Sequence, residues 1–246
     1  MAELSADGSK LLYSSWLGGS GAENGAAIAV DGMGSAYVTG VAYSSDFPTK
    51  NAFQSGADTS NGAGHAFVTK LQPNGSGLAW STYLGGSAAD QGMGITVDAA
   101  GSAYVLGRTA SSNFPVVNAF QQPISGDHAF VTKFSPTGST LVYSTRLGGT
   151  MGAELAWSTG DLIYNSPGGI SVDSAGHAYV AGGTSLSDFP VTSNALQPRI
   201  GAARFQTLSS RNSAPMARRW SIRLSSAGRA SPALTVSRSS LPAIPT

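Results

Sequence analysis

Three histidines, His65, His128 and His177, are the only imidazoles in the chain, and the serines and aspartates around them raise a first chemical question: Ser-His-Asp nucleophilic catalysis. Such a site needs a single constellation, one base of shifted pKa beside one nucleophile. The spacing argues against it. His65 and His128 open two copies of one segment, "HAFVTKL" and "HAFVTKF", 63 residues apart, and His177 starts the strand of another recurring hairpin. A histidine that recurs with a structural repeat is expected at a strand edge or turn, so no catalytic residue is assigned.

Calcium binding is the second question. Asp31, Asp98 and Asp173 each stand in an Asp-x-x-Gly pattern, which lacks the dense alternating oxygen ligands of a calcium loop. Turn capping, a carboxylate accepting backbone N–H groups, is the favoured reading. Asp46, Asn113 and Asp188, just before three Phe-Pro pairs, are likewise expected to cap loops. The "GGSG" and "GGSAADQG" glycines are not phosphate loops, because no helix follows them. With no cysteine, thiolate catalysis, disulfides and Cys-ligated zinc or iron–sulfur clusters are excluded. No metal ligand and no cofactor-binding residue is assigned. Glu154, Trp157 and Asp161 form the one unrepeated polar-aromatic group, the first place to look for a local site.

The elements that carry these residues repeat. "HAFVTKLQPNGSGLAWSTYLGGS" from His65 returns from His128 as "HAFVTKFSPTGSTLVYSTRLGGT", and a hairpin appears three times, as "AIAVDGMGSAYVTG", "GITVDAAGSAYVLG" and "GISVDSAGHAYVAG". A twelve-residue insertion around "AELAWSTGDLIY" lengthens the third copy. Period-two alternation within each segment predicts strands with one buried face, and Pro, Asn-Gly and Gly between them predict hairpin turns. Linkers "SSDFPTKNAFQ", "SSNFPVVNAF" and "LSDFPVTSNALQP" recur as well, with Phe47, Phe53, Phe114, Phe120, Phe189 and Leu196 expected to pin them onto the blade. Each unit is expected to be a four-stranded antiparallel meander running from "HAFVTK" to "AYVLG", with the long linker joining one unit to the next. The fold class is thus all-β, antiparallel four-stranded blades of a β-propeller, about three of them, an incomplete propeller.

The "YSSWLGGSG", "WSTYLGGS" and "YSTRLGG" strands, the "VDxxGxAYVxG" hairpin and the "DFP…NAFQ" linker together resemble the bacterial SBBP (seven-bladed β-propeller) repeat over residues 1 to 198. The resemblance implies a secreted or cell-surface bacterial protein with no family-wide catalytic residues. A non-catalytic scaffold or binding module is expected, its protein or glycan partner recruited by the propeller face or by variable loops such as "SGADTSNGAG" and "QQPISG". The alternative is a fragment of a propeller enzyme, a hydrolase, lyase or quinoprotein-like oxidoreductase, with its active-site residues in blades this chain lacks.

Residues 199–246 form a second region. They hold eight arginines, no lysine and no acid, whereas residues 1–198 carry all 13 acids. Read one base out of frame, Gln206 to Ile222 can encode "DAFVAKLSPDGTALVYS", so a frameshifted and disordered tail is expected, and its arginines do not imply nucleic acid. The first residues lack a signal peptide, and no apolar run is long enough for a membrane span. An incomplete propeller exposes two apolar faces, so the isolated fragment is expected to self-associate.

Overall fold

The computed structural model describes residues 1–122, 126–149, 169–184, 188–199, 218–224 and 235–236, the last two stretches by backbone alone. Among these residues there is no helix. The strands are β1 (Ala2–Leu4), β2 (Leu11–Ser14), β3 (Glu23–Val30), β4 (Ala36–Ala42), β5 (His65–Leu71), β6 (Leu78–Leu84), β7 (Asp90–Val97), β8 (Ala103–Thr109), β9 (His128–Phe134), β10 (Leu141–Leu147), β11 (Gly169–Val172), β12 (Ala178–Thr184), β13 (Arg218–Leu224) and β14 (Thr235–Val236). They form three four-stranded antiparallel sheets, β3-β4-β5-β6, β7-β8-β9-β10 and β11-β12-β13-β14, and a ribbon β1-β2. Among the described residues no sheet closes on itself.

The grouping of strands differs from the one expected. The short link Gly85–Ala89, not the long linker, passes from blade to blade, and residues 43–64 join β4 to β5 inside one blade. The physical reason lies at the outer edge. The linker folds back on β6 through Lys50↔Ser81 and Gln54↔Tyr83, and its counterpart meets β10 through Val117↔Ser144. A long connection therefore satisfies backbone groups that an edge strand would leave open.

Strands β4, β5 and β8 are buried on both faces, not on one as their alternation implied. The middle blade is packed on both sides by full blades, and the other face of β4 and β5 packs on Met1, Leu17 and Ala57, so the alternation distinguishes two interfaces rather than inside from outside. Tyr37, Ala66, Val68 and Trp80 of the first full blade pack on Ile95, Val105, Phe130 and Phe134 of the second. Tyr104, Leu106, Val131 and Tyr143 of the second then pack on Ala178, Val180 and Phe189. Burying each of these large side chains contributes roughly 1.5–3 kcal/mol. Of the linker residues, Phe47, Phe114 and Phe189 are buried and Phe53 and Phe120 are partly buried against the interblade cores, as expected, whereas Leu196 is 76% exposed and pins nothing.

Two stretches of the tail are described. Residues 218–224 form β13, antiparallel to β12 with Gly182 opposite Trp220, and 235–236 form β14. The types in "RRWSIRL" alternate, with Trp220, Ile222 and Leu224 at every second position, which is a strand pattern. An inner strand, β12, supplies the edge on which it pairs. The rest of 199–246, apart from Arg199, lies outside the described residues.

Candidate functional site

The residues that could do chemistry gather at two recurring stations between blades. The first is at the hairpin turns. Asp31 Oδ1 accepts the amides of Met33 (3.0 Å) and Ser35 (2.9 Å), while its Oδ2 faces Tyr37 OH (3.1 Å) and Lys70 Nζ (3.2 Å). The Lys70 ammonium also lies 4.8 Å from the Tyr37 ring centroid. Tyr37 OH reaches across to the carbonyl of Gly101, at the matching turn of the next blade, 3.2 Å away.

The arrangement returns one blade on. Asp98 caps Ala100 and Ser102, meets Tyr104 OH (2.9 Å) and Lys133 (3.2 Å), and Tyr104 OH reaches the Gly176 carbonyl at 3.3 Å. In the third copy Asp173 caps Ala175 and His177, and the His177 ring and Tyr179 OH both contact its Oδ2. Burial works to raise the pKa of Asp31 and Asp98, but the amides, tyrosines and lysines outweigh it and hold both below the ordinary carboxylate value. Burial, first, and the neighbouring carboxylate push Tyr104 above its ordinary value, so it remains a hydroxyl donor. Carboxylates whose oxygens are taken up by amides, a phenol and an ammonium are turn caps and interblade clamps, not an open calcium cage.

An aromatic contact sits beside each clamp. Trp80 Nε1 donates to the Pro136 carbonyl (3.1 Å), and its ring stacks on Phe134 at 5.9 Å and meets Tyr37 edge-on at 6.1 Å. The ring also lies flat against Gly138, where a Cβ would fall 2.1 Å from Trp80 Cδ2. Tyr13 covers Gly75 in the same way.

The second station lies at the other turns, where "LGGS" enters the next blade. Asp90 Oδ2 accepts from Gly86 N (2.8 Å) and Ser111 Oγ (2.8 Å) and lies 3.5 Å from His65 Nδ1. His65 Nε2 donates to the Asp58 carbonyl at 2.8 Å. His65, Asp90 and Ser111 are all buried. The Asp90 hydrogen bond, opposed by burial and aided by the Asp58 carbonyl, raises the His65 pKa. A ring that donates at Nε2 and faces a carboxylate at Nδ1 has its protonated form favoured over the neutral one.

These three residue types do not form a nucleophilic triad. In that arrangement the imidazole stands between hydroxyl and carboxylate. Here the carboxylate stands between the other two, and His65 is turned toward a backbone carbonyl. The adjoining cleft, lined by Tyr43, Gln91, Arg108 and Asp127 among others, has about 20 Å³ of free space, room for one water rather than a metabolite.

Asp46 and Asn113 cap loops as expected, accepting the amides of Ser20 and Ser87, each at 2.8 Å. This contact explains the double glycines. A Cβ on Gly86 would fall 2.3 Å from Asn113 Oδ1, and one on Gly19 2.3 Å from Asp46 Oδ1. His128 is buried at the position equivalent to His65, beside Gly148. Glu154, Trp157 and Asp161 lie outside the described residues.

Several residues central to the stations were not singled out by sequence reasoning. Lys70, Lys133, Tyr37 and Tyr104 recur in "TK" and "AYV", so the signal was their recurrence. Asp90 has no recurring type, because Glu23 stands at its place one repeat earlier. Arg146 is wholly buried and donates to the Ser111 carbonyl, where its counterpart Tyr83 donates to the Ser44 carbonyl at 2.6 Å. Different side chains perform one task there.

Clamped antiparallel blades with polar stations at both ends are those of a repeat-built β-propeller module. Residues 79–115, running from β6 through β7 and β8 to Pro115, match the family model described as SBBP, a beta-propeller repeat. The same motifs stand 67 residues earlier, at 12–48. No curated protein matches the chain. No helix among the described residues is long and apolar enough to cross a membrane.

Proposed function

We propose that this chain is a non-catalytic binding module of an exported or cell-surface bacterial protein, which recognises a protein or glycan through the variable loops at the blade ends. One observation carries the reading: among the described residues, His65, Asp90, Asp31 and Asp98 are committed to the interblade stations, and the second station reaches into the loop between β4 and β5. His65 donates to the backbone of Asp58, within the loop "SGADTSNGAG", and Asn61 Nδ2 donates to the Ser87 carbonyl at 3.2 Å. Ser60, Asn61 and Gly62 at its tip are exposed. A loop anchored at Asp58 and Asn61, with its tip side chains exposed, is suited to selective contact at low ordering cost. The extracellular placement rests on the resemblance of the repeats.

Glycan-array and peptide-display binding by the whole chain tests this, repeated with residues 56–62 replaced by glycine and serine. A ligand whose affinity falls at least about tenfold on loop replacement is expected, a loss of about 1.4 kcal/mol. Undiminished binding, or turnover of a hydrolase, lyase or oxidoreductase substrate abolished by His65→Gln, would overturn the proposal.

A further inference from the structure

His65 ties the buried wall between two blades to an exposed loop. Its Nδ1 faces Asp90 Oδ2 at 3.5 Å, and its Nε2 meets the Asp58 carbonyl at 2.8 Å. The two acceptors differ in kind. Asp90 is a carboxylate at the start of β7, 1% exposed, and its Oδ1 has no hydrogen-bond donor. Asp58 offers a neutral backbone carbonyl on an exposed residue of the connection between β4 and β5.

Only the protonated ring has an N–H for both. A neutral ring carries one, so on deprotonation one of the two contacts becomes lone pair against lone pair. The remaining proton belongs at Nδ1. A hydrogen bond to a carboxylate is roughly twice as strong as one to a neutral acceptor, and buried Asp90, already short of a donor at Oδ1, has no water to turn to. The exposed Asp58 is the acceptor that gives way.

The charged groups around the ring, among the described residues, come from the loop and from the neighbouring blade. The Asp58 carboxylate is held below its ordinary value, first by the Ser60 hydroxyl, and stays ionised across the imidazole range. Asp90 faces the ring from β7, Arg146 on β10 acts on Asp90, and the Arg108–Asp127 ion pair lines the cleft beside it. Strand β4 sets the uncharged Ala42 opposite His65, and β6 sets Leu84 opposite Ala66. The loop tip is built as one piece. Asp58 Oδ1 accepts the Ser60 amide (3.0 Å) and hydroxyl (2.6 Å), and Gly62 N donates to the Thr59 carbonyl (2.9 Å).

We propose that His65 is a proton switch for the β4–β5 loop: the protonated ring holds Asp58 and with it residues 58–62, and the neutral ring keeps Asp90 and releases them. The held state lasts beyond the ordinary imidazole range, because the Asp90 hydrogen bond favours the proton more than burial opposes it, and is lost as pH rises through the raised folded value. Its consequence for binding rests on the reading of this loop as the recognition surface. A ligand that contacts residues 58–62 binds more tightly below the titration than above it, since the loop is already ordered.

Nuclear magnetic resonance of the full chain without ligand tests the switch, following the His65 ring shifts and the backbone order parameters of Ser60, Asn61 and Gly62 from about pH 5 upward through the ring's titration. Order parameters near about 0.85 are expected below the titration and under about 0.6 above it, with the same midpoint as the ring. In His65→Gln, whose side-chain amide can donate to the Asp58 carbonyl but does not titrate, the tip is expected to keep its order at every pH. The parent measurement decides alone if that variant fails to fold. Tip order that stays constant while the ring titrates overturns the proposal, and so does a loss of order that the variant shows at the same pH. The affinity of a loop-dependent ligand over the same range separates the switch from the binding reading. A fall of at least about tenfold above the titration, in the parent alone, supports both. A tip that follows His65 while affinity stays flat supports the switch and overturns the loop as the recognition surface.

Discussion

Gly138→Ala isolates the contact by which one blade grips the next. The new Cβ meets two obstacles. Gly138 has a φ of 73°, where an L side chain costs about 1–2 kcal/mol. The Cβ would also lie 2.1 Å from a ring carbon of Trp80, a rigid and buried neighbour, and overpacking of this kind costs roughly 1–3 kcal/mol more. Trp80→Ala alone loses a buried aromatic, about 3–5 kcal/mol, and leaves the Pro136 carbonyl without its donor, about 1 kcal/mol. With the ring gone the clash disappears and only the φ cost remains. Gly138→Ala should therefore cost about 2–5 kcal/mol in the parent and about 1–2 kcal/mol beside Trp80→Ala. Urea unfolding of the four proteins, followed by far-ultraviolet circular dichroism, measures this coupling. Costs that add to within about 0.5 kcal/mol would refute the packing of Trp80 on the neighbouring turn.

Tyr104→Phe removes a hydroxyl shared between Asp98 and the Gly176 carbonyl and should lower unfolding stability by about 1–2 kcal/mol. Tyr179→Phe, measured in dilute protein, should cost less than about 0.5 kcal/mol at its more exposed site. Calcium should leave the Tm unchanged, and so should its removal by chelator, because the oxygens of Asp31 and Asp98 already have donors; a calcium-dependent rise in Tm would contradict the capping role. Resequencing the gene across codons 199–206 is expected to show a single-base shift that restores "DAFVAKL", and an intact frame would instead make the arginine-rich tail part of the working protein.

Much of this fold was legible because strands and turns are local. Alternation located β4 to β10, and the turn glycines Gly34, Gly75, Gly101 and Gly138 all take the positive φ that their hairpins require. Blade boundaries were not legible, because in a cyclic repeat any four consecutive strands make an equally good unit. Linker length pointed to the wrong junction. Only the pairing of Lys50 and Gln54 with β6 shows that the long connection returns to its own blade. The stations were half visible. Asp31 and Asp98 were readable as caps from Asp-x-x-Gly, since their amide partners are two and four residues away. Asp90 was invisible, since its partners His65 and Ser111 come from other strands and loops and its own residue type does not recur.

The account stands on whether the suggestive histidine is structural, and the titration of His65 tests that directly. Its folded pKa is raised, first by the Asp90 hydrogen bond, so its contribution to stability is complete below the unfolded value near 6.5 and is lost as pH rises through the folded value. Imidazole chemical shifts followed by NMR against pH, with His65→Gln to assign the signal, give the folded pKa. The account predicts a titration above 6.5 accompanied by loss of unfolding free energy over the same window, the loss being absent in His65→Gln. A His65 that titrates at or below its ordinary value, with no stability change attached, would contradict a buried clamp and describe an imidazole free to act as a base.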